Sequence, residues 1–146
     1  MNLEFKVISD KSDRYSICSY VLTWDTKKTY NFDNCIRAEY LFQNFIGVYN
    51  NNELIALGGI KPYYNDGIMC ARLSSIVKPN FRRKGVADQL LRYMLFYSKN
   101  ELNIEKVFVN IMKKNKPSIL QIEKNDFNLI SFKDNIYTYE KKLINN

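Results

Sequence analysis

Apolar residues along this chain recur with two periods, and the switching between them predicts its elements. Leu3, Phe5 and Val7 alternate with Glu4, Lys6 and Ile8, which predicts a first strand over residues 3–8. Ser9-Asp10 and Ser12-Asp13 offer caps for a helix reaching about Thr23. Its inner stripe is Ile17, Val21 and Trp24, with Tyr20 beside it. Residues 25–34 are polar and aromatic without a period, and predict a loop able to reach over a binding site. Asp33 or Asn34 can cap a second helix to about Gln43, with Ile36, Tyr40 and Leu41 inward. Residues 45–49 and 54–60 read as paired strands around a turn of three asparagines and Glu53. Gly58-Gly59 suggests a bulge or a close backbone approach. Residues 62–67 predict a second turn, with Asp66-Gly67 as its hairpin signal.

The most informative stretch follows. A long strand over residues 68–78 ends at Pro79, which has no N–H to donate to a ladder. Arg82, Arg83, Lys84 and Gly85 then make a basic, pliant turn. From Val86 the period becomes helical: Val86, Leu90, Met94 and Tyr97 form one stripe, with Leu91 and Leu95 beside it. A helix opening after such a turn presents unpaired N–H groups and the positive end of its dipole, an arrangement suited to a phosphate. Beyond it come a strand over 106–112, a helix from Pro117 to about Lys124 capped by Asn115 or Lys116, and an antiparallel pair over 127–132 and 136–142 around Lys133-Asp134-Asn135. The order βααβββαβαββ implies an α/β (α+β) chain: a mixed, largely antiparallel sheet of six to seven strands, flanked on both faces by about four helices.

Composition narrows the chemistry. The 146 residues suit one domain spanning 1–146, and 46% hydrophobic and 14% aromatic residues argue against disorder. The chain has no histidine and only three dispersed cysteines, Cys18, Cys35 and Cys70. These exclude a zinc site and imidazole catalysis, and fit reduced thiols in a cytoplasmic protein. No apolar run reaches the length of a membrane span, and the N-terminal ten residues lack a signal-peptide core. The net charge of +7 is concentrated, since residues 72–92 hold six basic side chains and one acidic. A positive field there would attract an anionic ligand. Nucleic acid is the weaker reading of that charge, because no recognition helix or aromatic-basic RNA motif accompanies it.

Three stretches carry a family resemblance. Val77-x-Pro79-x-x-Arg82-Arg83-Lys84-Gly85-Val86-Ala87 is similar to the V-x-P-x-x-R-x-x-G-x-G/A segment of the GCN5-related N-acetyltransferase (GNAT) family. Asn115 with Ser118, Ile119 and Phe127 resembles that family's N-x-x-A…G-F segment, and the element order matches along nearly the whole chain. The resemblance implies acetyl-CoA as cosubstrate, with no metal, and transfer of its acetyl group to a primary amine of a small molecule or peptide. It implies that backbone N–H groups of Arg83, Lys84, Gly85, Val86 and Ala87 wrap the pyrophosphate, and that Arg82 and Lys84 add charge to the phosphates. The backbone of Ser75, Ile76 and Val77 would pair with the pantetheine arm, with Asn115 and Ser118 on its far side. Removing Arg82 and Lys84 together is then expected to weaken coenzyme A binding several-fold and leave the fold intact. Asp88 departs from the family pattern and is expected to turn its carboxylate away from the phosphates.

The catalytic groups are not assigned by the sequence. Ile122 stands where the family often places a tyrosine acid, so the proton donor is left among Tyr63, Tyr64, Tyr137 and Ser118, or the thiolate leaves unaided. Glu39 or Asp66 could act as base through water. Cys70 reads as a packed thiol, with no histidine to activate it. Some of Tyr30, Phe32, Tyr63 and Tyr64 could line an acceptor pocket suited to a cationic or planar amine. The missing tyrosine also motivates a competing reading, a non-catalytic coenzyme A sensor of the same fold. As an enzyme the chain would act as a monomer or homodimer.

Overall fold

The computed structural model describes residues 1–24 and 44–143. Seven strands form one sheet: β1 (Leu3–Ile8), β2 (Asn44–Asn50), β3 (Glu53–Asn65), β4 (Ile68–Val77), β5 (Lys106–Met112), β6 (Asn128–Lys133) and β7 (Ile136–Lys142). Their order is β1-β2-β3-β4-β5-β7-β6. Neighbours run antiparallel except β4 and β5, which are parallel. The described helices are α1 (Lys11–Val21), α2 (Val86–Asn100) and α3 (Lys116–Lys124), with 3-10 turns at Leu22–Trp24 and Pro79–Phe81. The expected mixed sheet is thus present, with α2 as the crossover between the two parallel strands. The loop expected over 25–34 and the helix expected to Gln43 lie outside the described residues.

The hairpins turn on residue pairs that tolerate positive φ. Asn51 and Asn52 (φ 50° and 67°), Asp66 and Gly67 (52° and 75°), and Asp134 and Asn135 (54° and 64°) each make a two-residue connection. This conformation matches the twist of the flanking strands. The second hairpin is tighter than the sequence suggests. Residues 62–65 continue β3, opposite residues 68–71 of β4, and only Asp66-Gly67 turns. Pro62 is tolerated there because β2 pairs with β3 only as far as Ile60, so the outer side of β3 no longer needs a donor.

Each sheet face carries its own apolar cluster. Ala56, Ile60, Leu73, Val77 and Val109 pack with Val86, Leu90, Leu91 and Met94 of α2 and Ile122 of α3. Leu57 and Ile76, next in sequence to Ala56 and Val77, point to the other face, as strand alternation requires. There they join Ile8, Phe45, Cys18, Val21 and Trp24. Cys18 is the more deeply buried residue of the inner stripe of α1, with Ile17 partly buried against the same cluster, and Tyr20 is exposed. The 3-10 turn explains the change: with three residues per turn, Trp24 aligns with Val21 and Cys18.

Gly58 sets how closely α2 approaches the sheet. A Cβ added there would lie 2.6 Å from Met94 Sδ and 3.2 Å from Leu90 Cδ1. The expected close approach is thus at Gly58, whereas the bulge lies at Val48/Tyr49 in β2. Gly58 pairs with Ser75 of β4. Four buried apolar side chains and this contact fix α2 against the strand that leads into its own first turn. No described helix is long and apolar enough to cross a membrane.

Candidate functional site

The site begins where two parallel strands part. β4 and β5 pair from Cys70↔Lys106 to Leu73↔Val109 and no further, although β4 runs on to Val77 and β5 to Met112. Residues 74–77 of β4 are still paired with β3 on one side. Their other edge faces the gap, and an unpaired strand edge is a template for an extended chain.

A small inner cavity of about 70 Å³ occupies the gap, lined by Ser74, Ser75, Asn110, Met112, Asn115 and Ser118, with Ile122 among the apolar residues behind them. A larger cleft of about 510 Å³ continues outward along Ser75, Ile76 and Val77 to Arg82, Arg83, Gly85 and Ala87. Its opposite wall is Lys114, Asn115, Pro117, Ser118, Leu120, Gln121 and Lys124. Ser75, Asn115, Ser118 and Gln121 line both cavities, so cleft and gap form one continuous path.

The closed end of the cleft is the first turn of α2. Arg83 and Gly85 both take the left-handed conformation, at φ 60° and 82°. Gly85 is the N-cap of α2 and, lacking a side chain, caps nothing. The first helical bond is donated by Gln89 to the Gly85 carbonyl at 3.1 Å. Among the described residues, the amides of residues 83–88 donate to no protein acceptor. Six successive N–H groups at a helix start are donors available to an anion, which the helix dipole would also attract. A Cβ on Gly85 would meet no protein atom within 4 Å, so the space beside it is open to a ligand.

The charged side chains divide between ligand and framework. Arg82 Nε donates to the Val77 carbonyl at 2.9 Å, and Nη2 to the Trp24 carbonyl at 3.0 Å. The guanidinium, which lines the cleft, also ties the end of β4 to the turn after α1. It lends the cleft its charge while serving the framework. Lys84 is exposed, sits over the Phe81 ring at 5.7 Å and does not line the cleft. Asp88 lines the cleft, but its carboxylate is engaged: Arg92 pairs with it at 2.9 Å, and Asn125 Nδ2 donates to it at 2.9 Å. That second bond joins the first turn of α2 to the end of α3. Lys78, between strand and turn, donates to Glu53 at 2.7 Å, and this bond raises its pKa.

Asn115 is buried and caps α3, its Oδ1 accepting from the Ser118 amide at 3.4 Å. The cap leaves the Nδ2 donors for the path that Asn115 lines. Lys114 and Lys124, on the far wall, were missed from sequence. The run Lys113-Lys114-x-Lys116 was the available signal, but only the fold turns part of it toward α2.

The candidate acids and bases separate equally clearly. Ser118 lines the path, whereas Tyr63, Tyr64 and Tyr137 line neither cavity. Tyr64 is largely exposed, Tyr63 lies beside Phe108, and Tyr137 stacks on Phe132. Burial, with Cys70 nearby, raises the Tyr63 hydroxyl pKa, and Arg72 opposes the rise. Ile122 is in the core. Asp66 is exposed at a hairpin tip, and Glu39, Tyr30 and Phe32 lie outside the described residues. Burial raises the Cys70 thiol above its ordinary pKa, so it stays protonated at neutral pH, as a packed thiol should. No cluster of described His, Cys, Asp or Glu residues could hold a metal.

Comparison with known proteins agrees with this fold. The family model for the acetyltransferase (GNAT) family matches residues 10–127. No curated protein matches the chain. Among solved structures, a protein provisionally named a phosphinothricin N-acetyltransferase superimposes with a TM-score of 0.79 at 18% identity, covering 99% of this chain and 100% of its own. The PaiA N-acetyltransferase of Thermoplasma acidophilum, solved with coenzyme A, gives 0.75 at 19%, covering 97% and 99%. The Campylobacter jejuni N-acetyltransferase PseH, solved with acetyl coenzyme A, gives 0.70 at 16%, covering 95% and 99%. At these identities the likeness establishes the fold.

Proposed function

The chain belongs to the GNAT acetyltransferase family, and from that premise we propose that it transfers the acetyl group of acetyl-CoA directly to a primary amine of a small molecule or peptide. The observation that carries this reading is the continuous path from six unbonded amides to the gap between β4 and β5. It offers what acetyl-CoA requires: an anion cradle at one end, a strand edge for an amide-containing arm, and a narrow polar pocket at the other. Related N-acetyltransferases solved with coenzyme A or acetyl coenzyme A share this fold.

Residues 83–88 would hold the diphosphate, with Arg83, Lys114 and Lys124 contributing charge from both walls. The free edge of Ser75, Ile76 and Val77 would align the arm, and Asn115 would fix its far side. Bound there, acetyl-CoA supplies an acetyl group activated as a thioester. Ser75 and Ser118 supply hydroxyl protons where charge collects on the leaving sulfur, and Ser118, on the first turn of α3, is our choice of donor. Among the described residues no cysteine lines the path, and burial holds the Cys70 thiol protonated, which favours transfer without an acetyl-cysteine intermediate. In this reading transfer is direct, through a ternary complex. Reduced, buried Cys18 and Cys70 suit a cytoplasmic setting.

Release of free thiol from acetyl-CoA, followed over a panel of primary amines, tests this. Turnover with intersecting double-reciprocal lines is expected. Tight coenzyme A binding with no turnover on any amine would instead support the non-catalytic sensor; among the described residues no tyrosine or carboxylate lines the inner cavity.

A further inference from the structure

The sheet face opposite α2 carries an arrangement that cofactor binding does not use. In the β3–β4 pair, Lys61 stands directly opposite Arg72. Directly opposed side chains share a face, and like charges so placed destabilise a sheet. Neither cation forms an ion pair with a described carboxylate. Arg72 is exposed and Lys61 half-buried. Next along this face, Tyr63 opposes Cys70, with Phe108 tilted against Tyr63 at 6.4 Å between ring centroids. In the parallel register Arg72 is level with Phe108. Glu140 of β7, in register with Phe108 and so level with Arg72 across β5, is already bridged to Lys106 at 3.6 Å.

The position of this pair gives it meaning. Arg72 precedes Ser74 by two residues, so the two side chains lie on one face about 7 Å apart along the strand. Ser74 and Asn110 line the inner cavity where the strands part. A molecule reaching the gap from this side therefore passes two cations that no described carboxylate pairs, one position before the last pairing of β4 with β5.

We propose that the acceptor is an amine that also bears an anionic group, a carboxylate or a phosphate, and that Arg72, with Lys61 beside it, binds that group while the amine enters the gap. This rests on the acetyl-transfer reading above and adds the substrate class to it. An arginine meets either anion in bidentate fashion. The bound anion also relieves the opposition between Lys61 and Arg72. A cationic polyamine would meet repulsion at the same place.

Matched acceptors test the proposal: lysine against cadaverine for a carboxylate, and O-phosphoethanolamine against ethanolamine for a phosphate. Each is titrated calorimetrically into protein saturated with coenzyme A, and each is assayed for turnover with acetyl-CoA. At least one anionic member should bind and react at least ~10-fold better than its partner, and the better pair identifies the anion. Arg72→Gln should remove most of that preference by raising KM for the anionic acceptor, with KM for acetyl-CoA unchanged. Its Tm should hold or rise, because a like-charge opposition is removed. Equal binding within both pairs, a preference for cadaverine, a preference that survives Arg72→Gln, or a lowered Tm would each overturn the assignment. Binding preference without turnover would retain it and reject catalysis instead.

Discussion

Gly85→Val is expected to lower the affinity for coenzyme A at least ~10-fold, with a stability loss of about 1–3 kcal/mol. The residue caps α2 at φ 82°, where a β-branched side chain is an outlier and strain is of order 1–3 kcal/mol. No protein atom lies within 4 Å of a Cβ there, so the cost is conformational rather than a clash. The turn can relieve it only by rotating, which misaims the amides of residues 83–88. Loss of one charge-assisted hydrogen bond, about 1.5–3 kcal/mol, is already tenfold or more in affinity. Gly85→Asn separates the causes, since asparagine tolerates this conformation. If it binds nearly as well as the parent, strain is the mechanism. If it binds as poorly as the valine variant, the side chain blocks the ligand's approach. Calorimetric titration with coenzyme A reads both, and unchanged affinity in Gly85→Val would remove the phosphates from this turn.

The second large effect belongs to Arg82 and concerns stability. Its guanidinium joins the Val77 and Trp24 carbonyls at 2.9 and 3.0 Å, across 58 residues of chain. Hydrogen bonds from charged groups contribute about 1.5–3 kcal/mol each, and removing this donor takes one from each of two carbonyls. Arg82→Ala should therefore cost about 2–3 kcal/mol, seen as a Tm lower by roughly 5–10 °C. Arg82→Lys should recover little, since an ammonium lacks the rigid fork that spans two acceptors. Lys84→Ala, by contrast, removes an exposed cation over Phe81 and should leave Tm within about 1 °C of the parent. The sequence-based expectation that both residues can be replaced with the fold intact is thereby divided between them. A parent-like Tm for Arg82→Ala would show that the carbonyl contacts carry no weight.

These two positions also show what a sequence can and cannot express. Gly85 was legible because its signal is local: a glycine between a basic run and a helical stripe specifies a backbone conformation and an exposed helix start. The same locality made Asn115 readable as a cap, and the Asp-Gly and Asp-Asn pairs readable as hairpin turns. The framework part of Arg82 was not legible because its carbonyl partners include one, on Trp24, that is near only after folding. Carbonyls leave no trace in residue type. Lys114 and Lys124 were missed for a related reason, since nothing local says that α3 will face the first turn of α2. The opposition of Lys61 to Arg72 depends on the β3–β4 register, which the misplaced turn over residues 62–67 concealed. Periodicity states which face of an element is buried, but pairing across elements decides which charges meet.

The account depends on diphosphate recognition by the main chain at the start of α2. Amide chemical shifts recorded while coenzyme A is added, and again with pantetheine, which lacks the diphosphate, test it most directly. The account predicts that the largest changes with coenzyme A fall on residues 83–88 and vanish with pantetheine, while residues 75–77 respond to both. Shifts of 83–88 that are small with coenzyme A, or equal with pantetheine, would contradict it.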